Sequence, residues 1–331
     1  MDALIEQFSQ AQSWLFEALV QPAMFGLGLA GFLDQGYAGT GWFLVGLLQL
    51  LVILLVIGPL ERWRPVEAVT DGATVRTDVL YTLIHRLGLF RLVLFFTLDP
   101  VVDSAMGVLR VHGLHTLQLD DLWPGVSDSP WVSMLIYLVV FDFLNYWFHR
   151  AQHQFDWWWQ LHALHHAQRQ MTMWSDNRNH LLDDVLRDLF LAVAALAIGV
   201  APGQFVALVA IAQLSESLQH ANLRVWFGSW GERLLVSPRF HRLHHGIGIG
   251  HESHPAGQIN APGVLRAAPA VLGGHNFGVL FPWWDMLFGT ADFTVQFAPT
   301  GVRNQVEQGV DYGRGFWSQQ WRGLQRLWVR P

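Results

Sequence analysis

The chain has 331 residues, 52% hydrophobic and 14% charged, with a formal net charge of −6. Soluble domains carry about 25% charged residues, so much of the surface is expected to face lipid, and the negative balance gives a nucleic-acid partner no electrostatic support. There is no cysteine and no lysine, since every one of the 20 basic residues is arginine; disulfides, iron–sulfur clusters, thiolate nucleophiles and lysine Schiff bases are thereby excluded.

What remains for chemistry is histidine, with 16 copies, beside 17 tryptophans. Tryptophan suits the membrane–water boundary, where an apolar ring with one polar N–H is at home.

In chain order, the start (Met1-Asp2, then Glu6) has no basic run, and no cleavable leader is expected. Residues 14–33 are apolar but broken by Glu17, Gln21 and Pro22, which makes them a poor span or an interfacial helix. Residues 42–60 carry no charge over nearly the ~20 residues needed to cross the hydrocarbon core, and they stop at Glu61-Arg62-Trp63-Arg64. A second span is expected over 80–102, with His85, Arg86 and Arg91 in its first half, and a third over 131–148. His85, His112 and His115 read as structural. Residues 185–218 are too long for one crossing, and Pro202-Gly203 splits them into a helical hairpin.

Three arginine groups (Arg62, Arg64, Arg76; Arg150, Arg169, Arg178, Arg187; Arg224, Arg233, Arg239, Arg242) fall on one side when these crossings are counted. The positive-inside tendency makes that side cytoplasmic and puts the acidic loop with Asp120, Asp121 and Asp128 outside.

The histidines start where the third span ends. His149 and His153 are four apart, a spacing that puts both on one helical face. His162, His165 and His166 form a His-x-x-His-His run, repeated after the hairpin as His241, His244 and His245. His220 ends the hairpin one turn after Glu216, and His180 lies between the motifs. Imidazole ligates iron, zinc and copper, and one ion needs only three or four ligands. This many histidines in repeated spacing is therefore read as a dinuclear site with His149, His153, His162, His165, His166, His180, His220, His241, His244 and His245 as ligand candidates, His180 being either a ligand or a group that supports one.

Among nearby carboxylates, Asp142, Asp156, Asp176, Asp183, Asp184 and Glu216 are placed to hold a ligand imidazole through its second nitrogen. Asp183 and Asp184 read rather as residues that cap or flank a helix. Glu216 is read as a metal-site residue, either a ligand or an imidazole acceptor; the alternative is an ion pair with an arginine such as Arg224. Trp157-Trp158-Trp159 reads as an interfacial belt, with a substrate channel wall as the alternative.

The run Asp142-Phe143-Leu144-Asn145-Tyr146-Trp147-Phe148-His149-Arg150-x-x-His153 resembles the first motif of the sterol desaturase/fatty acid hydroxylase superfamily. The two His-x-x-His-His runs resemble its later histidine motifs, and Asn276-Phe277-Gly278 with Trp284-Asp285-x-Leu287-Phe288-Gly289-Thr290 its C-terminal signature. The likeness covers roughly residues 130–292. It implies an all-α integral-membrane helical bundle with a cytoplasmic helical cap carrying a histidine-rich dimetal site. It also implies two iron ions, O2 as co-substrate, and Glu216 and Asn276 as catalytic residues.

The implied organisation is membrane-spanning helices over 1–130, a catalytic domain over 131–292 and a tail over 293–331. An insert at 246–274, rich in Gly, Pro and Ala, is read either as a lid or entry loop, with His251 and His254, or as a loop without fixed structure. The implied reaction is hydroxylation, desaturation or ether cleavage of a lipid: a sterol or terpenoid, a fatty acyl chain or an alkyl glycerol. Electrons are expected from a separate donor, a cytochrome b5-like protein, a ferredoxin or a flavoprotein reductase. The expected location is a bacterial inner membrane, with several crossings and the site on the cytoplasmic side. Two other classes compete, a membrane zinc hydrolase and a non-enzymatic metal-binding protein. Against the first stands the lack of a His-Glu-x-x-His motif, and against the second the position of the histidines beyond the span ends rather than at mid-membrane.

Overall fold

The computed structural model describes residues 2–249, 251 and 274–328. Most of the insert, including His254, lies outside the described residues, so its role as a lid is left as an expectation. Among the described residues the fold is all-α, and the extended pairing is confined to an isolated bridge between Gly246 and Thr300. The helices are α1 (Asp2–Leu15), α2 (Gln21–Gly26), α3 (Leu33–Val52), α4 (Gly58–Trp63), α5 (Gly72–Arg86), α6 (Leu89–Thr97), α7 (Asp99–Val111), α8 (Pro130–Gln154), α9 (Asp156–His166), α10 (Leu181–Ile198), α11 (Pro202–His220), α12 (Gly228–Leu234), α13 (Pro238–His244), α14 (Trp283–Leu287), α15 (Arg303–Glu307) and α16 (Phe316–Trp328).

Two compact units form: Met1–Leu54 with Leu83–Thr116, and Leu55–Thr82 with Leu117–Pro331. Two continuous helical stretches are long and apolar enough to cross a membrane, Ala30–Trp63 and Pro130–Gln154, and α5 with α6 forms a third if that pair, bent by 45°, is one span. The protein is a membrane protein. The expected hairpin exists as α10 and α11, turned by Gly199 in the left-handed region (φ 75°) and restarted by Pro202 in the first turn of α11. It is not among the apolar spans: Asp183, Asp184, Arg187 and Asp188 all lie in α10, and α11 is diluted by Gln204, Gln213, Ser215, Glu216, Ser217 and Gln219.

In the first unit, α3 is patterned inside out. It buries Gly36, Thr40, Gly41, Gly46 and Gln49, while Leu48 and Leu51 are more than half exposed. Water would penalise that arrangement; lipid does not, because hydrocarbon solvates leucine and small residues let helices approach closely. Gly46 carries the closest approach: a Cβ built there would lie 1.5 Å from the Arg86 carbonyl oxygen.

The second unit holds the histidine motifs. α8 begins at Pro130, whose missing N–H costs nothing in a first turn. It buries Tyr137, Phe141, Asn145, His149 and His153, spaced four apart along one face. The upper part of that face packs with Leu119, Leu191 and Leu208 into an apolar cluster joining α8, α10 and α11. Trp159, Ala163 and Ala167 pack with Val302 and Tyr312. The Ser237 hydroxyl caps α13 by accepting from Phe240 N–H at 3.1 Å, and the buried Arg239–Glu232 ion pair lies just before His241.

Gly46→Ala is expected to cost about 1–3 kcal/mol through backbone overpacking. Its thermal unfolding midpoint in detergent should fall below that of Gly26→Ala, where a Cβ meets no atom within 4 Å; equal midpoints would contradict the tight approach.

Candidate metal centre

Four helices supply the imidazoles. α8 ends on His149 and His153, and α9 presents His162, His165 and His166 within its last two turns. α11 closes on His220, while α13 carries His241 and His244, with His245 just after it. All nine are buried. They fall into two groups: His149, His153, His162, His166 and His244 in one, His165, His220, His241 and His245 in the other. Within each group, one ring nitrogen from every residue lies within 4.8 Å of all the others. The i,i+3/i+4 spacing on α9 divides its three histidines between the groups, so adjacent residues His165 and His166 serve different clusters.

The rings are oriented from behind. His149 Nδ1 lies 2.9 Å from the Phe277 carbonyl, His162 Nδ1 3.1 Å from an Asp183 oxygen, His220 Nδ1 2.8 Å from the Glu216 carbonyl, and His244 Nδ1 2.7 Å from the His275 carbonyl. An oxygen acceptor at Nδ1 places the proton there and leaves Nε2 as a lone pair. The inward Nε2 atoms of His149, His162 and His244 have no hydrogen-bond partner, nor has either ring nitrogen of His153 or His166. In the second group, Nε2 of His220 lies 3.1 Å from Nε2 of both His165 and His241, and His241 Nε2 lies 3.1 Å from Nε2 of His245.

Burial, reinforced by the neighbouring histidines, holds the pKa values of His165, His166, His241 and His245 well below the ordinary imidazole range. For His244 burial and His149 act in the same direction. These rings are neutral, the form that ligates a metal. Converging lone pairs in a buried space are costly without a cation between them, so the donor set fits two metal ions.

Supporting residues hold this frame. Asp183 accepts from Gln152 Nε2 (2.8 Å) and Trp158 Nε1 (2.7 Å) as well as facing His162, so this residue at the helix start is also an imidazole holder. Asp142 accepts the N–H groups of Leu280 (2.7 Å) and Phe281 (3.1 Å) and Trp284 Nε1 (2.9 Å). Asp285 accepts from Phe277 N–H at 2.9 Å, Gly278 N–H at 2.7 Å and the Thr290 hydroxyl at 2.6 Å, and burial pushes its carboxyl up to about 6 despite them. Together these two aspartates place the loop whose Phe277 carbonyl holds His149. Asn276 has φ 60°, a left-handed conformation that asparagine tolerates. Its amide donates to the Phe240 and Asp292 carbonyls, both at 3.0 Å, so it ties this loop to α13.

Some sequence candidates sit elsewhere. His180 lies outside both groups: its Nδ1 accepts from Leu182 N–H at 3.1 Å, capping α10, and its Nε2 lies 2.9 Å from the Gln320 carbonyl. A Cβ at Gly323 would fall 2.2 Å from its ring, so α16 closes over it. Glu216 pairs with Arg187 at 2.7 Å, whereas Arg224 donates to the Val66 carbonyl and stands over the Phe297 ring. Asp156 faces His251. The tryptophan run divides by helical geometry: Trp157 is half-exposed, Trp158 bonds Asp183, and Trp159 is buried against the His153 and His166 rings. The main-chain acceptors at Phe277 and His275 leave no side-chain signal in a sequence, and only the Asn-Phe-Gly motif hinted at them.

Asp183→Asn removes the charge facing His162 and should weaken metal binding about 10–100-fold, measured by competition with a chelator; unchanged affinity would remove Asp183 from the site. A second expectation concerns metal-free protein. Its buried histidines have folded pKa values depressed below the ordinary ~6.5, so their contribution to stability is complete above that pH and is lost as pH falls toward the folded values. Thermal unfolding from pH 7.5 to 5.5 should show a progressive fall that begins near 6.5. A flat profile would contradict neutral burial.

Residues 134–290 match the family model described as fatty acid hydroxylase. Over 286 residues the chain is 23% identical to the ornithine lipid hydroxylase OlsE of Rhizobium tropici, covering 85% of this chain and 78% of that protein. It is 31% identical to an alkylglycerol monooxygenase of Xenopus tropicalis over 36% of this chain and 26% of that one. It is 28% identical to the Delta(7)-sterol 5(6)-desaturase erg3C of Aspergillus fumigatus over 38% and 46%. The chain therefore spans most of the first relative but under half of the other two. No solved structure matches significantly. The matched segment spans the seven helices from α8 to α14, with all nine clustered histidines and the loop that holds His149, and over these residues the chain is similar to the fatty acid hydroxylase family.

Proposed function

We propose that the protein is a membrane-embedded, non-haem di-iron oxygenase that hydroxylates or desaturates a lipid. The observation that carries this is the pair of buried imidazole groups, five and four strong, the first with ring nitrogens that lack partners and the second with Nε2 atoms converging to 3.1 Å. The named relatives, a lipid hydroxylase, a monooxygenase and a desaturase, support the same chemistry. His149, His153, His162, His166 and His244 would hold one ion, and His165, His220, His241 and His245 the other. His180, as a helix cap, stands outside this proposed set.

Iron held by these histidines would supply what acid–base groups cannot, the reduction of O2 to an oxidant able to break an unactivated C–H bond. For hydroxylation, a C–H bond, O2, two electrons and two protons become C–OH and water, and the electrons come from a separate protein donor of the cytochrome b5, ferredoxin or flavoprotein class. The chain's own residues then have four tasks. Phe277, His275 and Glu216 carbonyls and Asp183 keep the imidazoles in their Nδ1–H tautomers. Burial disfavours the protonated form of His165, His166, His241, His244 and His245. Trp159 and Phe277 seal the His153 side against water. The apolar cluster around Tyr137 and Phe141 anchors the helices that approach from the membrane.

The arginine distribution supports a multi-pass arrangement in a bacterial inner membrane with the site facing the cytoplasm. Reporter fusions at Gly246 and Asp121 should report opposite sides, and the same side for both would sink that topology. Protein from iron-replete cells should hold about two metal ions per chain. His149→Ala, His165→Ala and His244→Ala should each abolish lipid oxidation, and zinc-loaded protein should regain activity only after exchange to iron. One ion per fully active chain, or full activity with zinc, would refute the di-iron reading.

A further inference from the structure

We propose that α16 is an in-plane membrane helix: its outward tryptophans, Trp317, Trp321 and Trp328, sink into the headgroup–acyl boundary of the bilayer, while another of its faces clamps His180 at the start of α10. The proposal stands apart from the oxygenase reading. α16 lies beyond residues 134–290, the segment similar to the fatty acid hydroxylase family.

α16 divides its surface among three surroundings. At about 100° per residue, Phe316, Gln319, Gln320 and Gly323 fall on one side, and all four are buried. Ser318 and Arg322 fall on a second side and are exposed, with Arg322 3.2 Å from Asp311. Trp321 and Trp328 follow Trp317 by four and eleven residues, spacings that return to one line along a helix. They form a third side, with Trp317 80%, Trp321 61% and Trp328 88% exposed. The buried side is mostly polar. Gln320 Oε1 accepts from Leu181 N–H at 2.8 Å, and its Nε2 donates to the Tyr81 hydroxyl at 2.8 Å and the Asn179 carbonyl at 3.0 Å. The Gln320 carbonyl lies 2.9 Å from His180 Nε2, and the Phe316 ring packs on Tyr81 with centroids 4.8 Å apart. α16 is therefore patterned inside out, as α3 is, with amides and a glycine inward and indoles outward.

Water would penalise that pattern, because a large apolar side chain left in it forgoes about 1.5–3 kcal/mol of burial. A protein partner fits poorly as well. A single line of three indoles, each about 150–250 Å², offers less than the roughly 800 Å² per partner of a stable protein contact. A bilayer boundary accepts a narrow apolar line and keeps indole N–H groups among the headgroups. A helix with aromatic residues on one side and arginine on another lies flat in that layer. α16 carries Arg322 and Arg326 and no acidic residue, so anionic headgroups favour the same seat. Its neighbours stand close to the membrane. α9, whose Gln160 carbonyl accepts from Arg326 Nε at 3.1 Å, starts two residues after the apolar helix α8 ends. Phe155 and Trp157, at that junction, are about half exposed. Tyr81 lies on α5, part of the bent pair counted as a third span.

The test uses the absence of cysteine from the chain, which lets one nitroxide label be attached without background. Full-length protein carrying Trp317→Cys, Trp321→Cys or Ser318→Cys is labelled and placed in nanodiscs of phosphatidylcholine and phosphatidylglycerol. Collision rates of each label with O2, which concentrates in lipid, and with a water-soluble nickel chelate are then measured by electron paramagnetic resonance. The ratio of O2 to nickel collisions should be at least fivefold higher at positions 317 and 321 than at 318. All three side chains are exposed, so the substitutions open no core, and either tryptophan position suffices if the other variant fails to fold. Equal, water-like ratios at the tryptophan positions and at 318 would overturn the inference in favour of a helix bathed in water. Labels at 317 and 321 that are shielded from both reagents would overturn it in favour of a protein partner or a second copy of this chain.

Discussion

The structure depends on keeping nine imidazoles together in a buried space. Each ring nitrogen taken from water needs a partner, and a cluster of unfilled lone pairs is a net cost unless a cation sits among them. Everything near the histidines can be understood as meeting that demand. Backbone carbonyls and Asp183 take the outward Nδ1 protons, and Asp142 and Asp285 lock the loop that provides one of those carbonyls. Folding and metal binding are therefore coupled, because the donor geometry exists only once α8, α9, α11 and α13 are docked.

Lipid makes a different demand on the helices. α3 hides glycine and threonine and shows leucine, the reverse of a soluble helix. α8 combines both solvents in one element: Trp131 and Leu135 are exposed near its start, while its last turns are buried and carry ligands. One continuous helix thereby delivers two imidazoles to the edge of an apolar cluster without a flexible connection, which favours a rigid site.

Charge inside the bundle is held in pairs. Arg187 on α10 donates to Glu216 on α11 at 2.7 Å, so the two charges neutralise each other between neighbouring helices.

Much of this was determined by the sequence itself. Apolar runs ending in arginine marked the membrane helices, and i,i+3/i+4 histidine spacing marked helical ligand faces, because both signals depend only on local periodicity. The sequence also carried motifs that resemble those of the fatty acid hydroxylase family. It did not decide partners across the fold. The spacing of Glu216 and His220 reads as a metal-site carboxylate, with an arginine such as Arg224 as the alternative partner, but tertiary packing gives Glu216 Arg187 from the neighbouring helix. His180 has the same imidazole as the others, yet its place at the start of α10 under Gly323 turns it into a cap. The division of His165 and His166 between two groups, and the use of the Phe277 and His275 carbonyls as ring acceptors, arise only when four helices and a loop converge. Periodicity is a property of a segment, whereas ligand grouping and ion pairing depend on distances between segments, and those exist only in the folded chain.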